Sequence, residues 1–157
     1  STATLGTYQH MWNNTEPTSS VFSVGHDVTV GGYPIRDFIA YVFHSVEGYS
    51  KVGSYTGNGN ANGTFVYTGF KPAYVLIKGS TVAENWNLYD SARTPVNDAL
   101  DERLKPNSTA AEVTSDMIDF TSNGFKIRTT DGEINTSGET YIYLAFAETP
   151  FKYSNGR

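Results

Sequence analysis

The sequence predicts an all-β fold: a β-sandwich, jelly-roll-like or related, with little or no helix. Three observations lead there. The 157 residues include 11 Tyr, 9 Phe and 15 Gly among many Thr, Ser and Asn. Aromatic and β-branched side chains suit a pleated, half-buried surface, and Gly, Asn and Ser suit the turns between strands. Several segments alternate with period two rather than 3.6. Hydrophobic content is 38% against 17% charged, so the chain can form a core and is too weakly charged to stay open by self-repulsion.

The elements follow in order. "FIAYVF" (38–43) puts Phe38, Ala40 and Val42 on one face and Ile39, Tyr41 and Phe43 on the other. With both faces apolar, it reads as a central strand covered on both sides. "GTFVYTGF" (63–70) is a further short strand. "AYVLIK" (73–78) and "NWNLYD" (85–90) flank "GSTVAE" and read as a hairpin with a loose loop. In "TPVNDALDERLKPN" (94–107), Val96, Leu100 and Leu104 stand four apart. That stretch reads either as one or two helical turns ended near Pro106 or as a long polar loop. "GFKIRTT" (124–130) alternates with one face in and one out, and "YIYLAF" (141–146) is apolar on both faces, as 38–43 is.

The chain also resembles itself. Residues 21–43 lie over 124–146 without gaps, matching Phe22 with Phe125, Val24 with Ile127, Phe38 with Tyr141, Ile39 with Ile142 and Phe43 with Phe146. Such self-similarity implies a duplicated strand–turn–strand unit. Residues 1–53 then form the back half of a first unit, packed with a complete second unit at 54–157 in one compact domain. A lone hairpin is marginal in water, so residues 1–53 are expected either to join the sheet of the second unit or to belong to something longer. The opening "STATLG", without Met, points to a processed or trimmed product. "YTGNGNANG" (55–63) would be an ordered junction loop without a bound ion, because Asn and Gly accept positive φ at low cost.

Charge and composition exclude several functions. Net charge is −5 and Lys plus Arg total 11, with no basic run. A nucleic-acid partner would lack the phosphate-neutralising charge it needs, and membrane insertion lacks an apolar run of about 20 residues. Cysteine is absent, which removes disulfides, Cys-based zinc sites and Cys nucleophiles. His10, His26 and His44 stand apart, and Asp116 with Asp119, or Asp131 with Glu133, gives two ligands where calcium wants six or more oxygens. Gly57, Gly59 and Gly63 do not meet the dinucleotide spacing, and no Lys-Ser/Thr follows for a P-loop. No cofactor is expected. The sequons at Asn13, Asn62, Asn107 and Asn135 are of a kind that chance supplies in a chain so rich in Asn and Thr.

Glycan binding remains. Sugar sites place an aromatic ring under the sugar face with polar groups at its rim. "ENWNLYDSAR" (84–93) brings Trp86, Tyr89, Asp90 and Arg93 together. Alternation puts Trp86 with Leu88 towards the core and leaves Tyr89, Asp90 and Arg93 at a strand end as the candidate site. An Asp90–Arg93 pair within a turn is the structural alternative.

Three stretches carry a family resemblance: residues 41–78 from "YVFHSVEGYSK" to "KPAYVLIK", "NWNLYDSAR" (85–93), and 123–157 from "NGFKIRTTDGE" onward. Together with "PTSSVFSVG" (17–25), they resemble a β-rich C-terminal module of tail-fibre and other structural proteins of tailed bacteriophages. The resemblance implies a virion protein on the phage tail or surface, outside the cell, and the distal part of a longer subunit. It implies a trimer packed against other virion proteins, and supplies no ligand residues. The expected function is a non-enzymatic receptor-binding module contacting host surface glycans. The alternatives are a capsid decoration or other purely structural virion protein, and a glycan depolymerase with two carboxylates about 5–10 Å apart.

Overall fold

The computed structural model describes residues 9–28, 30, 37–93 and 100–150. These fall into two compact units that divide between residues 42 and 43.

The larger unit is nearly all β. Its strands are β1 (Ser50–Thr56), β2 (Phe65–Tyr67), β3 (Pro72–Gly79), β4 (Asn87–Asp90), β5 (Leu100–Arg103), β6 (Val113–Thr121), β7 (Gly124–Ile127) and β8 (Thr140–Ala147). They form two four-stranded sheets with orders β1-β8-β3-β4 and β2-β7-β6-β5. Every pairing within them is antiparallel. The first strand pairs with the last and the second with the seventh, as in a doubled chain wound on itself. The inner strands leave that winding, because β3–β4 and β5–β6 close as local hairpins. The sandwich expected from the sequence is therefore present. An isolated bridge, Leu88↔Leu104, joins the β4 edge of the first sheet to the end of β5.

The core lies between the sheets. Tyr55, Val75, Ile77, Tyr89, Tyr141, Tyr143 and Ala145 face in from one sheet, and Val66, Ile118, Phe125 and Ile127 from the other. Phe125 bridges them edge-on, with ring centroids 6.1 Å from Tyr55 and 5.3 Å from Tyr143. These are favoured aromatic geometries. Gly53 makes room for this layer, since a Cβ there would stand 2.8 Å from Tyr143 Oη.

A one-turn helix, α2 (Gly132–Asn135), caps one end of the core with Ile134 buried. Asp131 is its N-cap and accepts from Glu133 N at 2.8 Å. That makes Asp131 a capping residue, the role that Asp commonly takes before a first turn.

The "YTGNGNANG" loop leads from β1, at the edge of one sheet, to β2, at the edge of the other. It is ordered by asparagine. Asn135 is fully buried and donates through Nδ2 to Asn58 Oδ1, Asn60 O and Thr129 O. Its Oδ1 accepts from Asn58 N at 2.9 Å. Asn58 and Asn60 continue the chain of bonds to the amides two residues on. Gly59 has φ +65°, but Gly57 is glycine for a different reason: a Cβ there would lie 2.3 Å from Thr136 O.

Among the described residues, the smaller unit opens with a single helical turn, α1 (Gln9–Trp12). Asn13 and Asn14 follow with φ of 53° and 47°, a conformation that Asn tolerates better than most residues. Gly25 N then donates to Met11 O at 2.7 Å, and Thr18 holds a turn to Val21.

Three expectations need correction. Residues 38–43 form no strand, and Ile39, Tyr41 and Val42 are 80%, 80% and 75% exposed. Its counterpart "YIYLAF" is the inner strand β8, because β1 and β3 flank it. The apolar pattern specifies faces but supplies no neighbours. The likeness between 21–43 and 124–146 is thus not matched by like secondary structure. Residues 100–103 are strand β5, neither helix nor polar loop; residues 94–99 lie outside the described residues. The boundary placed between 53 and 54 falls inside β1.

Candidate functional site

The four residues singled out at 86–93 do not converge. Asn87 and Tyr89 point into the core and are fully buried, while Trp86, Leu88 and Asp90 are half-buried on the other side. The alternation was right and the faces were reversed. Tyr89 is therefore no sugar platform. Burial raises its phenol well above the ordinary range, although nearby Arg103 opposes the shift. The reversal has a cause: Asn87 is carried inward beside Arg103, which lies 3.5 Å away, so an amide occupies a core position that alternation assigns to an apolar residue. Asp90 and Arg93 pair with each other, and Arg93 also pairs with Glu112. Asp90 Oδ1 accepts from the amides of Ala92 and Arg93, so this pair closes the turn after β4.

A second polar group gathers around Glu133. Its Oε1 accepts from Lys105 Nζ at 2.6 Å and Asn85 Nδ2 at 3.0 Å, and its Oε2 from Arg103 Nη1 at 2.9 Å. Asn107 donates to Asn85 Oδ1 at 3.1 Å. Burial alone would raise the Glu133 carboxyl, but the Lys105 and Asn85 bonds and the Arg103 and Lys105 charges outweigh it and hold it below its usual range.

The clearest exposed aromatic feature lies elsewhere. Phe65 and Tyr67 point the same way from β2 and are 45% and 64% exposed. Val66 between them is buried in the core. Phe65 sits opposite Lys126, and Tyr67 opposite Gly124. The next strand continues the rows with Asp119 and Thr121. Asp119 pairs with Arg128, and Lys126 donates to Gly63 O. Gly124 is required here, since a Cβ would stand 2.1 Å from Val66 O and 3.0 Å from the Phe65 ring. The result is two rings over a low floor, rimmed by charged and hydroxyl groups. The sequence predicts a strand here without marking the rings as a site. The signal was the i, i+2 spacing of Phe65 and Tyr67 around one inward Val.

The outer face of the other sheet carries an apolar row. Val52, Leu144, Leu76 and Leu88 stand in one register row across its four strands. Beside them, Phe146 packs on Phe43, Tyr49 and Tyr74, with centroids 6.0, 5.6 and 5.8 Å away. Val52 and Ile142 are 42% and 40% exposed.

The fold defines an all-β sandwich module. Residues 1–150 match a family model, and the chain belongs to that family, DUF7483, a domain of unknown function. No curated protein and no solved structure matches the chain.

Proposed function

We propose that this chain is a non-catalytic module of a tailed-phage virion, of tail-fibre type, that meets host surface glycans through Phe65 and Tyr67. The observation that carries the glycan reading is the exposed ring pair beside Lys126, Asp119, Thr121 and Arg128. Aromatic faces stack on the apolar faces of sugars, and polar neighbours fix orientation. The phage assignment is supported by the sequence phrases that resemble tail-fibre modules. On this reading the protein works at the virion surface, outside the cell, as a trimer among other virion proteins, and needs no cofactor. Adsorption of the purified chain to bacterial cells or their isolated surface polysaccharides tests it: Tyr67→Ala should abolish adsorption and leave folding intact.

A purely structural virion role is the second reading, favoured by the apolar row Val52–Leu144–Leu76–Leu88 and the cluster around Phe146. Exposed apolar faces of this kind mark packing surfaces. Labelling the protein in intact particles separates the two, because a position on the capsid excludes tail adsorption.

A further inference from the structure

We propose that Lys105 and Asn85 join in an intramolecular isopeptide bond, with Glu133 carrying protons between them. A single oxygen, Glu133 Oε1, accepts from both Lys105 Nζ at 2.6 Å and Asn85 Nδ2 at 3.0 Å. Two donors that share one acceptor are held in one neighbourhood, from which a small side-chain movement would bring the Lys105 amine onto the Asn85 carboxamide carbon. The electrophile is also prepared. Asn107 Nδ2 donates to Asn85 Oδ1 at 3.1 Å, where negative charge would gather. Asn107 is itself fixed, because its Oδ1 accepts from Trp86 N at 2.9 Å. Arg103 occupies Oε2 and leaves Oε1 to the two reacting groups. The Lys105 and Glu133 side chains are 19% and 15% exposed, so the pair is largely shielded from water.

The chemistry balances without oxidant or reductant. Glu133 Oε1 takes a proton from the Lys105 ammonium, and the freed lone pair of Nζ attacks Asn85 Cγ. The proton passes to Nδ2 as the Cγ–Nδ2 bond breaks. Glu133 removes the second Nζ proton and hands it to the departing ammonia. One alkylammonium and one carboxamide become one secondary amide and one ammonium ion. The bond would tie the segment leading into β4 to the residue after Leu104, beside the Leu88↔Leu104 bridge where the two sheets meet. It would close that side of the sandwich covalently in a chain that has no cysteine.

The test is the mass of the purified full chain under denaturing conditions after prolonged incubation at neutral pH. The proposal expects a mass one ammonia below that of the sequence, and a digest containing a branched peptide that joins the Asn85 and Lys105 segments. Lys105→Arg and Glu133→Gln, each checked for folding by circular dichroism, should keep the full mass, and Asn107→Ala should slow linkage. A wild-type chain of full mass overturns the proposal whatever the variants do. So does loss of ammonia without a branched peptide, which would indicate an asparagine imide. Linkage at the wild-type rate in a folded Glu133→Gln variant removes Glu133 from the reaction.

Discussion

Tyr55 and Tyr141 stand opposite each other in the β1–β8 ladder, and both hydroxyls reach the same short helix. Their rings stack with centroids 5.2 Å apart. Tyr55 Oη donates to Ile134 O at 2.8 Å, and Tyr141 Oη to Gly132 O at 2.7 Å. Tyr141 Oη also accepts from Thr136 N at 2.9 Å. A helix of one turn cannot hold itself together, so the two core tyrosines position α2, and with it Glu133 and Asn135.

Tyr141→Phe keeps the ring and removes both hydrogen bonds, leaving Gly132 O and Thr136 N without that partner. The expected cost is about 1–3 kcal/mol, read as a lower urea midpoint with an unchanged slope. A loss confined to Glu133 and Asn135, with the sheets intact by amide exchange, would show that α2 melts alone.

The β1–β2 loop should respond differently at Gly57 and Gly59. Gly57→Val forces a side chain onto the Thr136 carbonyl, and should cost more than about 3 kcal/mol or prevent folding. Gly59→Ala must adopt φ +65° and meets Ser137 Cβ at 3.0 Å, at a cost of about 1–2 kcal/mol. Thermal melts of the two variants give the order. Equal and small effects would mean that the close approach of Gly57 to Thr136 does not constrain the loop.

Glu133 should make the unlinked fold acid-sensitive. Its carboxyl titrates lower when folded than when unfolded, so its stabilisation is complete above the ordinary glutamate value of about 4.3 and is lost as pH falls through the lower folded value. Urea unfolding from pH 7 downward should show the wild-type advantage over Glu133→Gln shrinking below about pH 4. A constant difference would assign the stabilisation to hydrogen bonding alone.

The apolar outer face predicts self-association. Leu144→Asp places a charge in the middle of the Val52–Leu144–Leu76–Leu88 row without touching the inward core. Sedimentation equilibrium should give a trimer for the wild type and a monomer for the variant. A folded variant that stays trimeric would remove this face from the interface.

Much of the fold was legible in the sequence because alternation is a local property. "AYVLIK" and "NWNLYD" pair as the hairpin they suggested, with Val75 opposite Tyr89, and "YIYLAF" is an inner strand. What failed was whatever depends on neighbours. "FIAYVF" has the pattern of β8 and none of its partners. At Trp86 and Tyr89 the alternation held, but nothing local indicates that Asn87, rather than Trp86, turns inward to meet Arg103. The Glu133 cluster draws on Asn85, Arg103, Lys105 and Asn107, which come together only when the edges of the two sheets meet. Phe65 and Tyr67 were visible as a strand, and their exposure follows from facing away from the core that Val66 between them enters.

Binding to an array of bacterial surface polysaccharides tests the central claim most directly, comparing the wild-type chain with a Phe65→Ala/Tyr67→Ala variant of equal thermal stability. The account predicts that the wild type binds a restricted set of glycans and that the variant binds none of them. A wild type that binds nothing, or a variant that binds as the wild type does, would contradict it.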